Sequence, residues 1–169
     1  MSTEGEHEVT ETLKIDVYYP DHETRTESPE FRVAKKEEVE EKLVCCICGA
    51  PNPELHHALV EWAFSDDTDW VQVQQIALGQ VPVINGVPMK QSLVYWMLQI
   101  VRLRGFDWNK FDPSQPQDFV DSITHMAPLC AEHHRAPDKG IHMTTFPLFV
   151  FQAFPKKAGM HEFSALAKT

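Results

Sequence analysis

Two short stretches decide the fold predicted for this chain: residues 45–50 read Cys-Cys-Ile-Cys-Gly-Ala, and residues 125–134 read His-Met-Ala-Pro-Leu-Cys-Ala-Glu-His-His. Each contains a pair of potential metal ligands that are separated by two residues. Such a spacer lets one turn present both side chains, and thiolate and imidazole are ligands that zinc prefers. The four side chains are Cys45, Cys48, Cys130 and His133. The sequence therefore predicts one structural zinc shared by distant segments.

The choice of ligands among neighbouring residues follows from the spacing. All four cysteines of the chain lie in these two stretches. Cys46 does not have the standard spacing to Cys48, so the sequence favours Cys45. In the second stretch His133 has the standard spacing, and the adjacent His134 is the alternative. Ordinary buried thiols or a disulfide are less favoured, because the chain is poor in cysteine and we expect no signal peptide.

Histidine is more frequent around these stretches than one zinc site requires. If both stretches meet at the zinc, the histidines beside them meet as well, and convergent imidazoles predict a second, open metal site. The alternative is that these side chains only pad the zinc core. The residues concerned are His56, His57, His125, His134 and His142.

The order of these motifs resembles that of the HNH endonucleases. That family has a CxxC knuckle, a strand ending in an acidic residue or histidine followed by histidine, a loop, and then Asn-x-x-x-Leu-Cys-x-x-(Cys/His)-His leading into a helix. The corresponding stretches here are 45–49, 55–57 and 125–134. The resemblance implies an α+β fold with a zinc-stabilised ββα-metal core, and it covers two separate pieces of the chain.

The resemblance also implies a function, metal-dependent hydrolysis of DNA phosphodiester bonds. His57 would be the general base, since an unperturbed imidazole pKa of about 6.5 suits proton abstraction at neutral pH. His125 would occupy the place of the family's asparagine, which orients the catalytic histidine. The ligands of the catalytic ion would be His56 and His134, with Asp138 or His142 as the third. Besides the structural Zn²⁺, the expected ion is Mg²⁺, Mn²⁺ or Ni²⁺.

A long connection separates the two motif-bearing stretches. The 67 residues between His57 and His125 exceed the connection usual in the family, and their apolar pattern predicts a helical insertion over residues 61–124. Helices are expected at 61–78, 89–103 and 112–123, with a tight turn or small hairpin at 82–88. The side chains expected in the core include Trp62, Trp70 and Trp96.

The N-terminal region differs in composition from the rest. Residues 1–42 contain 13 Asp or Glu against 6 Lys or Arg, so they carry most of the net charge of −10. Residues 1–10 are predicted to be a disordered tail, and residues 13–19 an N-terminal strand extension of the core. A short solvated helix is expected at 37–41. Residues 11–169 are predicted to form a single HNH-like domain.

DNA is the expected partner, although the acidic charge disfavours it, because affinity for the phosphate backbone comes largely from Lys and Arg. Local charge and a bound divalent cation offset this at a catalytic face. The candidate contacts are Arg102, Arg104, Arg135 and Lys139. A homodimer would suit double-strand cutting. We expect a cytoplasmic protein without membrane association, similar to small nucleases of phages and mobile elements.

Two other functions compete with the nuclease. The first is a catalytically inactive, HNH-like zinc-binding adaptor or inhibitor, which the acidic charge and the histidine at position 125 favour. The second is a zinc hydrolase that acts on a small molecule. Four protein ligands argue against the hydrolase, because a catalytic zinc keeps an open position.

Overall fold

The computed structural model describes residues 26–136, 140–143, 154, 155 and 157. The predicted tail at 1–10, the predicted strand at 13–19, and Asp138 and Lys139 lie outside the described residues. The described part of the chain is a mixed α/β structure with two small antiparallel sheets. None of the helices in that part is long and apolar enough to cross a lipid bilayer.

The helices and strands alternate along the chain. The α-helices are Pro29–Glu40 (α1), Trp70–Ala77 (α2), Leu93–Leu103 (α3), Gln117–Val120 (α4) and Ala131–Arg135 (α5). The strands are Glu54–His57 (β1), Val83–Ile84 (β2), Val87–Pro88 (β3) and Met126–Leu129 (β4). Short 3₁₀ helices lie at Trp62–Phe64, Met89–Gln91 and Ile141–Met143. Helices α2, α3 and α4 therefore lie between β1 and β4.

Strands β1 and β4 pair antiparallel and bring the two motif-bearing stretches together. Their register places His57 opposite Met126. Before β1, the amide of Cys46 donates a hydrogen bond of 2.9 Å to the carbonyl of Pro128, which holds the cysteine turn beside the end of β4. Helix α5 begins almost directly after β4. The turn, both strands and the helix are therefore neighbours in space.

The residues between β1 and β4, together with Phe154, build the larger of two hydrophobic clusters in the described part of the chain. Its aromatic rings pack edge to face, with centroids 5.4 Å apart for Trp108 and Phe111 and 5.7 Å apart for Trp70 and Phe119. All four side chains are buried. Because burial of apolar surface is the main force that stabilises folded chains, the predicted insertion is a packed part of the fold.

The helix predicted at 61–78 is wrong in its first half. Residues 62–64 form a single 3₁₀ turn, and α2 begins only after Asp69. The Asp69 side chain accepts a hydrogen bond of 3.0 Å from the amide of Gln72 and so caps α2. Short polar side chains compete with a helix for backbone hydrogen bonds, which explains why residues 65–69 separate two elements.

Two predictions for the next segments are confirmed. The hairpin predicted at 82–88 consists of β2 and β3, with Asn85 and Gly86 at φ angles of 49° and 77°. Positive φ at both central residues is the geometry of a type I′ turn, which Asn-Gly favours. The helix predicted at 89–103 is present as a 3₁₀ turn followed by α3.

Two other expectations for this region are wrong. The helix predicted at 112–123 shortens to α4, because the Asp112 carboxylate accepts a hydrogen bond of 2.9 Å from the amide of Ser114 and forms a local turn instead. Trp96, expected in the core, is 60% exposed. Helix α3 turns the face that carries Leu98 towards the core, and Trp96 lies on another face.

Helix α1 is longer than the helix predicted at 37–41, and it packs beside the β1–β4 sheet. The Ser28 side chain caps it by accepting a hydrogen bond of 3.0 Å from the amide of Phe31. A proline follows in the first turn, where it costs no helical hydrogen bond. Ala34 is buried in the smaller hydrophobic cluster together with Leu55 of β1. An element outside the predicted core thus contacts its central sheet.

Candidate metal sites

A cluster of three cysteines and one histidine joins the turn before β1 to the start of α5; its ligand atoms all lie within 4.8 Å of one another. Sγ of Cys45 is 3.7 Å from Nδ1 of His133, and Sγ of Cys48 is 3.8 Å from Sγ of Cys130. Ligands at about 2.0–2.3 Å from one tetrahedral zinc lie about 3.3–3.8 Å from each other. The cluster could therefore hold an ion such as zinc. It is called the Cys3His cluster below.

The geometry decides between the ligands that the sequence left open. The Cys48 and Cys130 sulfurs, 3.8 Å apart, are too distant for a disulfide bond of about 2.05 Å, and all four cysteines are free. Cys45 belongs to the cluster, whereas the exposed Cys46 does not. The histidine of the cluster is His133 rather than its neighbour.

The turn that carries the first two cysteines is closed by the backbone. Gly49 adopts a φ of 73°, a conformation that glycine reaches without strain, and its amide donates a hydrogen bond of 2.8 Å to the carbonyl of Cys45. Burial acts to raise the pKa of the Cys45 thiol. Backbone hydrogen bonds from Cys130, Cys48 and Ile47 outweigh burial and lower that pKa to about 6. The thiolate, the form that binds zinc, is therefore favoured.

Three imidazoles converge at a second site. The ligand atoms of His56, His134 and His142 all lie within 4.8 Å of one another. Nε2 of His134 is 2.9 Å from Nε2 of His142, and the His56 ring centroid is 4.8 Å from that of His142. The sequence left Asp138 and His142 as alternative third ligands; His142 is in the group, and Asp138 lies outside the described residues. This group is called the trihistidine cluster below.

Two imidazoles of the trihistidine cluster, those of His56 and His142, favour the neutral form. Burial, followed by the nearby charges of His142 and His134, lowers the pKa of His56 to about 3. Burial and the neighbouring imidazole of His134 also lower the pKa of His142. A neutral imidazole has a free lone pair for a metal ion, so the cluster is suited to bind a cation.

A carboxylate orients one of these imidazoles. Nδ1 of His134 lies 2.5 Å from Oε2 of Glu54, and Glu54 also pairs with Arg135. The hydrogen bond with His134, followed by the one with Arg135, lowers the pKa of Glu54 despite partial burial. Since the carboxylate accepts the Nδ1 proton, Nε2 is left to bind an ion, an arrangement common behind metal-binding histidines.

His57, the predicted general base, is also bonded to a carboxylate. Its Nε2 lies 3.0 Å from Oδ1 of Asp121, which is fully buried. The Ser28 hydroxyl donates a hydrogen bond of 2.7 Å to Oδ2 of the same carboxylate. The ring of Phe31 stacks on the His57 ring at a centroid distance of 6.1 Å and an interplanar angle of 22°. The side chain remains 14% exposed, so solvent reaches it.

Neither ring nitrogen of His125, the residue expected to orient the catalytic histidine, bonds to His57. Nε2 of His125 accepts hydrogen bonds of 3.1 Å from the amides of Leu59 and Val60, and its Nδ1 donates one of 2.8 Å to the carbonyl of Val120. Both ring nitrogens thus serve backbone groups, and the carboxylate on His57 comes from another residue. Burial, followed by the charge of His57, lowers the pKa of this fully buried imidazole to about 3.

Glu61 lies between the metal site and the predicted base. Its Oε1 is 3.4 Å from Nε2 of His56, and its Oε2 is 3.9 Å from Nδ1 of His57. The side chain is 13% exposed, and Oε1 accepts no hydrogen bond within the described part of the chain. Burial raises the pKa of Glu61, and the charge of His57 partly opposes this increase.

The predicted DNA contacts are partly engaged within the protein. Arg135 pairs with Glu54. Arg104 donates a hydrogen bond of 3.0 Å to the carbonyl of Ile123, and burial lowers its pKa. Arg102 is exposed in the last turn of α3.

Sequence reasoning missed four residues of this region. They are Ser28, Glu54, Glu61 and Asp121. Glu54 had a usable signal, because residues two apart on a strand point to the same face and His56 is two residues further on. Ser28 and Asp121 had none, since their contacts join parts of the chain that are distant in sequence.

The chain matches no model of a known protein family, and no curated protein or solved structure matches it at a significant level. The two clusters and the order of the motifs are therefore the features of the chain that indicate a function.

Proposed function

We propose that this protein is a metal-dependent, HNH-type endonuclease that hydrolyses phosphodiester bonds of DNA. The observation that carries the proposal is the position of the trihistidine cluster directly beside His57, whose ring is bonded to a buried carboxylate. Hydrolysis of a phosphodiester requires a cation at the phosphate and a base for the attacking water. His56 of the cluster and His57 are adjacent residues of β1, so the ion and the base would lie side by side.

The scaffold supports the proposal. Strands β1 and β4 and helix α5 follow in the order strand, strand, helix that the HNH resemblance implies. The Cys3His cluster ties the turn before β1 to α5 and corresponds to the zinc knuckle of that resemblance. The ion of this cluster would stabilise the fold, since its four protein ligands leave no open position.

The donor set of the trihistidine cluster indicates which ion suits it. Mg²⁺ prefers oxygen ligands, whereas imidazole suits transition ions. Of the three expected ions, Ni²⁺ therefore fits the cluster best, and Mn²⁺, a transition ion that also takes oxygen ligands, lies between Ni²⁺ and Mg²⁺. Such an ion, when bound, polarises the phosphate and offsets the charge that develops on it during attack.

His57 supplies the base. It takes a proton from the attacking water as the water oxygen bonds to phosphorus. The bond from phosphorus to the 3′ oxygen breaks, and the departing oxygen takes up a proton from solvent. General base catalysis of this kind contributes about 10²–10⁴-fold to a rate.

One set of observations favours the zinc-binding adaptor as the second candidate. Arg135 is paired with Glu54, Arg104 is bonded to a backbone carbonyl, and the chain carries a net charge of −10. Each of these weakens attraction to a phosphate backbone. An adaptor would keep the Cys3His cluster and need no base.

Plasmid cleavage tests the proposal. Zinc-loaded protein would be supplied with Mn²⁺, Ni²⁺ or Mg²⁺ and compared with His57→Ala, with zinc counted by elemental analysis. We expect nicking or cutting with Mn²⁺ or Ni²⁺ that falls by about 10²–10⁴-fold in the variant, at unchanged zinc content. Absence of cleavage with every ion, in protein that binds Ni²⁺ by calorimetry, would contradict the nuclease and favour the adaptor.

A further inference from the structure

We propose that Asp121 and Ser28 are positioning residues that fix the orientation and the tautomer of His57, so that helix α1 is a working part of the candidate active site. The inference rests on the proposed function, because it assigns a task to the groups behind the proposed base. It assigns that task to residues outside the motifs: Asp121 lies in the predicted insertion and Ser28 precedes α1.

A continuous chain of hydrogen bonds leads from α1 to the imidazole. The amide of Phe31 donates to the Ser28 hydroxyl at 3.0 Å, and this hydroxyl donates to Oδ2 of Asp121 at 2.7 Å. Oδ1 of Asp121 then lies 3.0 Å from Nε2 of His57. The same serine thus caps the helix and holds the carboxylate, which places the amide of Phe31 in α1 three hydrogen bonds from the base.

This chain determines which ring nitrogen carries the proton. The Ser28 hydroxyl already receives a hydrogen bond from an amide and has one proton to give, which goes to Asp121. With Asp121 ionised, its carboxylate only accepts hydrogen bonds, so His57 is the donor and its Nε2 is protonated. Nδ1 keeps its lone pair. Glu61, the carboxylate on that side, is 3.9 Å away, beyond hydrogen-bond distance.

Ring packing restrains the same imidazole. The Phe31 ring of α1 stacks on His57 with an interplanar angle of 22°, and the ring centroid of the buried His125 lies 6.0 Å from that of His57. Ala34, one turn further along α1, is buried in the cluster with Leu55 of β1. The helix therefore supports the histidine through a hydrogen-bond chain and through an apolar contact.

The experiment combines nitrogen-15 NMR with cleavage. Spectra of zinc-loaded, full-length protein would report the tautomer of His57, whose signals are identified by their loss in His57→Gln. We expect the Nε2-protonated tautomer in the unmodified protein. In Asp121→Asn we expect a mixture of tautomers and a loss of about 10²-fold or more in the Mn²⁺-dependent cleavage rate, since a carboxylate that fixes a catalytic histidine contributes up to about 10⁴-fold.

Variants of Ser28 test the same hydrogen-bond chain if the buried Asp121→Asn variant does not fold. Ser28→Ala should lower the cleavage rate by about tenfold and mix the tautomers, and Ser28→Thr, which retains the hydroxyl, should recover most of that rate. The matched control is Asp69→Ala, which removes the side-chain cap of α2 and should leave the tautomer unchanged.

The outcomes separate this inference from the proposed function. An Nδ1-protonated His57 in the unmodified protein, or a tautomer that does not change in either the Asp121 or the Ser28 variant, would overturn the positioning role even if the protein cleaves DNA. An Nε2-protonated His57 that changes in the variants, in a protein that cleaves nothing, would support the hydrogen-bond chain and reject the nuclease.

Discussion

The two metal-compatible clusters take adjacent residues of α5, His133 and His134, yet they are built differently. In the Cys3His cluster, three thiols and one imidazole form a set of four ligands. The trihistidine cluster has three, and carboxylates stand beside it: Glu54 is bonded to His134, and Glu61 lies next to His56.

In metalloproteins, such a difference in the number of ligands distinguishes structural from catalytic ions. Four protein ligands complete a tetrahedron, whereas three leave a position for water or substrate. Carboxylates behind a metal-binding histidine set its orientation and raise its basicity, which matters where the ion takes part in chemistry. We therefore expect the Cys3His cluster to govern folding and the trihistidine cluster to govern activity.

The largest expected effect is that of Cys130→Ser. Structural zinc contributes about 10–16 kcal/mol of apparent binding free energy in small zinc domains, as much as the net stability of a typical protein. We expect loss of zinc and of cooperative thermal unfolding, measured by elemental analysis and circular dichroism. Cys46→Ala, whose side chain lies outside the cluster, is the control and should retain zinc. Full zinc content in Cys130→Ser would remove the distinction between the two clusters.

A smaller effect is expected from Glu54→Gln. The amide removes the negative charge behind His134, so the affinity of the trihistidine cluster for Ni²⁺ should fall by about 10–100-fold, equivalent to about 1.4–2.7 kcal/mol. Isothermal titration of zinc-loaded protein measures it. Glu40→Gln, an exposed carboxylate at the end of α1, is the matched control. Unchanged Ni²⁺ affinity would show that Glu54 does not support the trihistidine cluster. Loss of zinc would show that it supports the Cys3His cluster instead.

The smallest effect, counted per pH unit, is the change in stability caused by protonation of the buried His125. Its pKa is lowered from 6.5 to about 3 in the folded protein, so the unfolded state binds the proton first. Its contribution to stability is therefore fully present above pH about 6.5 and is lost as the pH falls towards about 3. The free energy of unfolding should decrease by up to about 1.4 kcal/mol per pH unit from this residue. Denaturant unfolding from pH 7 to pH 4 measures the slope.

The comparison variant for this pH effect is His125→Asn, which carries no titrating group. The slope of its free energy of unfolding against pH should be shallower than that of the unmodified protein by up to about 1.4 kcal/mol per pH unit, the contribution of one proton. Identical slopes would show that the pKa of His125 does not change on unfolding. That result would contradict a neutral His125 that accepts hydrogen bonds from the amides of Leu59 and Val60.

The ligands were predictable because metal binding imposes local spacing. Two residues between Cys45 and Cys48, and between Cys130 and His133, fit one turn each, and the structure brings all four together. The β2–β3 hairpin was predictable for a similar reason, since its Asn-Gly pair specifies the turn. In each case a few adjacent residues contain the information.

The contacts that join Ser28, Asp121 and His57 were not predictable, because they depend on the path of the whole insertion. Asp121 reaches His57 across 64 residues, and Ser28 reaches Asp121 across 93. The same holds for Trp96: its spacing fits an apolar helix face, and only the packing of α3 shows that it is 60% exposed. Local patterns do not fix such tertiary contacts.

The hydrogen bond between His57 and Asp121 also has a consequence for the order of events during synthesis. Because the two residues are 64 positions apart, a nascent chain that has only formed β1 and the first cysteine turn has neither the carboxylate nor the second half of either cluster. Long-range contacts of this kind form late, since the entropy of closing the loop must be overcome first. The candidate site therefore becomes complete only when the whole segment between β1 and α5 has been made and folded.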